Sequence, residues 1–208
     1  MENDNNLYQS FKVVEVVLLF RVAIMHHRTI GGKDKYVFKR YSAAYKRAFE
    51  KESSRLYAEL GHENEIEHIG STAVPGLGGK NILDVIVGLK KGKCREAKRM
   101  LQNIGYDFVS NAGSARRLFF VKDEIFDGRS IRVHLHLIKF NGSEWKQKIA
   151  FRNYLRNHKE TALEYASVKK KAVKEAKGSK KKYMKAKESF INQITREALR
   201  EQRTEFAQ

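Results

Sequence analysis

The chain has 208 residues, 41% of them hydrophobic and 11% aromatic, which is enough to bury a core and excludes global disorder. Its formal net charge is +18, from 42 Lys and Arg against 24 Asp and Glu, so anionic partners come first to mind. Cys94 is the single cysteine, which excludes an internal disulfide framework and suits a reducing cytoplasm.

In chain order, residues 1–12 begin polar and read as a frayed end. Residues 13–24 are the longest apolar stretch, but they carry Glu15 and Arg21 and are too short to span a bilayer. They have neither the basic start nor the cleavage site of a secretory signal, so a buried strand or short helix is expected, and no membrane partner. His26-His27 falls outside any pattern, and Gly31-Gly32 breaks the chain. Residues 1–35 thus read as an N-terminal extension to a domain over 36–208.

A helix is expected over residues 36–60, where Tyr41, Tyr45, Ala48, Phe49, Leu56 and Leu60 recur near a 3.6 period before Gly61. Residues 66–69 form a short strand that runs into the string GSTAVPGLGGK. Residues 82–89 are an apolar run holding one carboxylate, Asp84, as in a strand buried on both faces. A helix over 94–104 and strands at 106–109, 118–122 and 131–138 follow. From about residue 143 the chain turns helical: Ser143 is placed as N-cap of a helix through Leu155, and a second helix covers 160–177. The last helix carries the stripe Tyr183, Ala186, Phe190, Ile194 and Ala198. Residues 146–208 hold 18 Lys and Arg against 7 Asp and Glu, a net +11. A solvated lysine face explains this better than nucleic-acid binding, because arginine–aromatic interleaving is sparse.

Three features bear on chemistry. The first is the turn at Gly70, where the backbone of a glycine lets a ligand approach closely. A helix begun just after it would offer N–H groups to phosphate, with hydroxyls from Ser71 and Thr72 and a point charge from Lys80. An ordinary Gly-rich connection is the plain alternative, and the string is not a Walker A loop because Asn81 follows Gly79-Lys80. The second is Asp84, separated from Ser71 by twelve residues, since a carboxylate in an apolar run must pair, bind metal or stay protonated. The third is the pair His134 and His136, which extended backbone projects to one face. With Asp84 they compose either a divalent-metal set or a hydrogen-bonded pocket wall. A histidine-triad reading fails at Ile138, where the third histidine would stand. Arg117 and Arg132 are candidate phosphate clamps, and His68 is expected to be structural.

The segment IEHIGSTAVPGLGGKNILDVIV, followed by RLFF, HLHL, FRNYLRNH, EYASVKK and YMKAKESFI, resembles the GrpB family in content and order from about Tyr36 to Ala198. The resemblance implies an α+β fold with a mixed sheet of the nucleotidyltransferase, polymerase-beta-like type, packed helices and a helical C-terminal region. It implies a nucleotide or other phosphorylated metabolite as ligand, with Gly70, Ser71, Thr72, Lys80, Arg117 and Arg132 on phosphate. Asp84, His134 and His136 would be catalytic and would hold one Mg²⁺ or Mn²⁺. Active members of that superfamily carry a second acid two residues after the first, where this chain has Ile86. A catalytically silent binding or accessory module is therefore the alternative, and nucleic-acid binding by the basic C-terminal helices comes third.

Overall fold

Residues 38–90 and 93–205 are described in the computed structural model. The extension, the apolar stretch 13–24 and His26-His27 lie outside them.

Helix α1 spans Ala44–Leu60, starting later than its periodicity predicts. The preceding chain is committed elsewhere. Lys39 donates its N–H to the Gly79 carbonyl at 2.7 Å and accepts from the Gly79 N–H at 2.9 Å, and backbone used in a bridge cannot also serve a helical ladder. Tyr45, Ala48, Leu56 and Leu60 face inward, as the helical period requires.

The strands are β1 (Glu65–Ile69), β2 (Ile82–Leu89), β3 (Asp107–Phe108), β4 (Arg117–Phe126) and β5 (Arg129–Lys139), with helix α2 (Cys94–Asn103) between β2 and β3. They form one five-stranded sheet in the order β1-β2-β5-β4-β3. Only β2 and β5 run parallel; the other neighbours are antiparallel. The sheet is mixed and the fold is α+β, as expected. Strands β4 and β5 extend well past their expected ends because Asp127 and Gly128, with φ of 49° and 70°, close a two-residue hairpin between Phe126 and Arg129. Both residues take positive φ, which the Asp-Gly pair tolerates.

Alternation divides the sheet into two faces. One carries Leu83, Val85, Val87, Val133, Leu135, Leu137 and Phe120, packed against α1 and against Ala97 and Leu101 of α2. The other carries Asp84, Ile86 and Gly88 on β2 beside His134, His136 and Ile138 on β5. At one end of this second face, Trp145 covers Ile69, Ile86 and Ile138. A Cβ on Gly88 would stand 2.7 Å from the Trp145 ring, so the strand must be bare there.

Trp145 belongs to α3 (Ser143–Asn157), which is followed by α4 (Lys159–Ala176) and α5 (Lys180–Glu205). The residue capping α3 is Gly142 and Ser143 is its first helical residue, so the helix starts one position earlier than a cap at Ser143 would give. Val74 and Leu77 of the glycine-rich loop pack with Leu155, Ala162, Tyr165 and Ile194 of these helices. The helical region thus closes over the loop that leaves β1.

Candidate functional site

The site forms where β1 ends. Gly70 has φ 71° and ψ −169°, a region open essentially to glycine alone. A Cβ there would lie 2.9 Å from both Cβ and Cγ of Asp84. The absent side chain is what lets the loop backbone lie against the carboxylate. Asp84 is a register partner of His134 across the parallel pair, and His134 Nδ1 stands 3.3 Å from Asp84 Oδ1. Ile86 pairs in the same way with His136. Phe119 of β4 lies at 5.0 Å from the His134 ring and 5.1 Å from the His136 ring. Acid and imidazoles do share one face, and Phe119 fixes the spacing of the two rings.

A cleft of about 770 Å³ opens on that face, lined by Gly70, Asp84 and His136 from the sheet side and by residues of α3 and α5. Its cations are Arg116, Lys148 and Arg196, and Asn192 and Thr195 supply uncharged polar groups. Burial pushes the Asp84 carboxyl up, but the hydrogen bond from His134, with the positive charge of Lys148 nearby, outweighs it and holds Asp84 below the usual carboxylate range. His136 moves well below an ordinary histidine, first through burial and then through Lys148 and Arg117. Its Nδ1 is buried without a hydrogen-bond partner among the described residues. A neutral imidazole with an unmet ring nitrogen therefore stands beside an ionised acid.

Of the residues expected on phosphate, Gly70 alone lines this cleft. Ser71 lies against Gly79, where a Cβ would meet its hydroxyl. The turn after Gly70 is a three-residue 3₁₀ turn, Ser71–Ala73, too short to supply the helix N-terminus that the sequence reading placed there. Thr72 is 2% exposed, and its hydroxyl donates to the Ile82 carbonyl at 3.0 Å and accepts from His68 Nε2 at 3.0 Å. It is spent on the fold, so the expected phosphate role is corrected. His68 stacks on Phe49 at 4.9 Å, which bears out its structural assignment. Arg132 is also corrected: both arms of its guanidinium grip Asp123, at 2.8 and 2.6 Å. Arg117 pairs with Glu144, a residue lining the cleft. Lys80 sits 4.1 Å over the Tyr183 ring.

The expected metal set does not assemble. Among the described residues no group of three or more His, Cys, Asp or Glu side chains is arranged to hold an ion. The Asp84 carboxylate faces His134, and the His136 nitrogen that would complete the set is buried. These residues do not fit a resident Mg²⁺ or Mn²⁺ as they stand.

Sequence reasoning missed Lys148 and Arg196, and named Arg117 where its neighbour Arg116 is the one that lines the cleft. Lys148 was recoverable only from helical phase, since it follows Glu144 by four and precedes Phe151 by three on the side of α3 that lines the cleft. Nor are the lysine-rich helices simply solvated. Lys169 is 2% exposed and Lys187 9%.

The family model described as GrpB protein matches residues 36–197. The glutamate-rich protein GrpB of Alkalihalophilus pseudofirmus is 29% identical over 169 residues, which cover 80% of this chain and 97% of that protein. A UPF0157 protein of Pseudomonas aeruginosa is 31% identical over 137 residues, 64% of this chain and 55% of that protein. The crystal structure of the conserved protein GrpB from Enterococcus faecalis matches with a TM-score of 0.69 at 32% identity, covering 79% of this chain and 98% of that one.

Proposed function

Since the chain belongs to the GrpB family, we propose that it is a nucleotidyltransferase-like protein that binds a nucleotide or other phosphorylated metabolite in the cleft over β2 and β5. The observation that carries this reading is the cleft lined by Asp84 and His136 and walled by Arg116, Lys148 and Arg196, with His134 paired to Asp84 on the same sheet face. Cations on the wall meet phosphate oxygens, while Phe151, Ile191 and Leu199 offer apolar surface to the rest of the ligand. Asp84 accepts from His134 Nδ1–H and so leaves Nε2 to take a proton from an attacking hydroxyl. A cytoplasmic setting accords with the single, exposed thiol of Cys94. Among the described residues no helix is long and apolar enough to cross a membrane.

One observation favours a second reading, a catalytically silent binding module. Two-ion phosphoryl transfer uses carboxylates to hold both ions, and the residue two beyond Asp84 is Ile86, with 0% exposure beneath Trp145. Trp145 is the only tryptophan and sits on the helix that walls the cleft, so its fluorescence reports binding directly. Titration with ATP, GTP, CTP and UTP, with and without Mn²⁺, should give saturable binding. Lys148→Met should weaken it by about tenfold or more, a charge-assisted hydrogen bond being worth roughly 1.5–3 kcal/mol. No binding of any of the four rejects the proposal. Binding with pyrophosphate release when a hydroxyl acceptor is added supports transfer; binding without turnover supports the module.

A further inference from the structure

Half of the chain's formal net charge of +18 comes from residues 169–187, which hold ten lysines against one acid, Glu175. This stretch is the turn that joins α4 to α5, with the flanking ends of both helices. Seven of the lysines, from Lys170 on α4 to Lys185 on α5, are exposed. Their one ion pair among the described residues is Lys171 with Glu175, at 3.8 Å and with both side chains more than half exposed.

Charge that serves solubility alone pairs with its opposite one turn away, as Lys46 does with Glu50 on α1. Here like charges stand one turn apart, Lys170 with Lys174 and Lys181 with Lys185, and each such pair weakens its helix. Lys181 and Lys182 also sit in the first turn of α5, where the helix dipole disfavours a cation and no acid compensates. Lys177 takes φ 43° and ψ 45°, a left-handed conformation that asparagine or glycine adopts more easily. The fold gathers these charges against local stability, and an anionic partner offsets that cost.

Packing also supplies what the sequence lacks, an aromatic ring among the basic residues. A groove of about 340 Å³ between α4 and α5 is lined by Ala172, Ala186 and half-buried Phe190, together with Lys171, Ser189 and Gln193. Phe190 is stacked on Tyr165 at 5.3 Å, which fixes its ring. Lys182 and Lys185 precede Ala186 and Ser189 by one turn, so they continue the α5 wall of the groove toward the lysine-rich turn. The α5 residues that line the cleft, Ile191, Asn192 and Thr195 among them, are different ones. The groove is a separate place on the molecule.

We propose that the joined ends of α4 and α5 bind a single-stranded nucleic acid, with the exposed lysines on successive phosphates and the groove receiving a base against Phe190. Lysine is a compact charge without the fixed fork of arginine, so the lysines hold the backbone and read no particular sequence. A duplex keeps its bases stacked inside and gives the groove nothing to hold. An anionic lipid surface needs a broad apolar face beside the lysines, and Met184 is the one large apolar side chain exposed among the described residues of this stretch.

The test measures, on the full chain, the anisotropy of a fluorescein-labelled single strand of mixed sequence, about 20 nucleotides long. The same strand annealed to its complement, and phosphatidylserine vesicles, are the comparisons. The single strand should bind at least about fivefold more tightly than the duplex, the worth of one stacked base. Coulombic attraction alone would favour the duplex, whose charge is denser. With about four phosphates met, affinity should fall roughly fiftyfold between about 50 and 200 mM salt. The triple variant Lys181→Gln, Lys182→Gln, Lys185→Gln should lose about tenfold or more in affinity and part of that salt dependence. The triple variant Lys46→Gln, Lys93→Gln, Lys139→Gln, at lysines exposed elsewhere, should keep both. Lys177→Asn should raise Tm without nucleic acid and lower affinity, a pairing that a merely structural lysine would not give. Ser189→Trp fills the groove without changing charge and should abolish the preference over duplex. No binding of the single strand at low salt, duplex or vesicles bound as tightly, equal losses in the two triple variants, or an intact preference in Ser189→Trp overturns the proposal.

Discussion

Replacing Gly70 by alanine tests whether the bare backbone at the end of β1 exists to accommodate Asp84. Two costs add. The conformation at φ 71° and ψ −169° penalises a side chain by about 1–3 kcal/mol. The new Cβ also meets Asp84 Cβ and Cγ at 2.9 Å, an overpacking of about 1–3 kcal/mol. Together they predict that Gly70→Ala loses roughly 2–6 kcal/mol, a large share of a domain's usual margin. A double-mutant cycle separates part of the clash, because Asp84→Ala removes Cγ and the carboxylate oxygens but leaves Cβ at 2.9 Å and the backbone strain. Urea unfolding of wild type, both single variants and the double variant should show Gly70→Ala costing at least about 1 kcal/mol less in the Asp84→Ala background. If the cost is the same in both backgrounds to within about 0.5 kcal/mol, the carboxylate is not what the glycine accommodates.

Three further outcomes follow from the same structure. Gly88→Ala drives a methyl into the Trp145 ring and should cost about 1–3 kcal/mol, with a shift in the fluorescence of the single tryptophan as the direct readout. Tyr106→Phe removes the 2.8 Å hydrogen bond to buried Glu52 but leaves Glu52 with Lys122 and Arg55; equilibrium unfolding should show a loss of about 1–2 kcal/mol. His68 is lowered from 6.5 to about 4, chiefly by burial. Between those values the unfolded chain takes up a proton that the folded chain refuses, so stability falls as pH drops from about 6.5 toward 4, by up to about 1.4 kcal/mol per pH unit. His68→Gln should flatten that slope, as measured by unfolding free energy at pH 4.5, 5.5 and 6.5.

Much of the framework was legible. The apolar run at residues 82–89 is β2 to the residue, and alternation placed His134 and His136 on one face, which the register shows to be the face that bears Asp84. What escaped was set by partners distant in sequence. Nothing near Lys39 foretells its bridge to Gly79, and that bridge is what delays α1. The hydroxyl of Thr72 looks like a phosphate ligand until Ile82 and His68 are seen to occupy it. Arg132 reads as a clamp until Asp123, opposite it on β4, takes both arms. The hairpin at Asp127-Gly128 is different, since Asp-Gly between apolar runs is a local signal and was readable.

The parallel pairing of β2 with β5 joins Ile82 to Arg132 and Asp84 to His134, residues fifty positions apart. Such a junction forms late in folding, because the intervening chain must surrender its freedom before any contact repays the closure. Asp84 and His134 therefore meet only at the step that completes the sheet. A chain that stops short of β5 carries the acid without its imidazole partner.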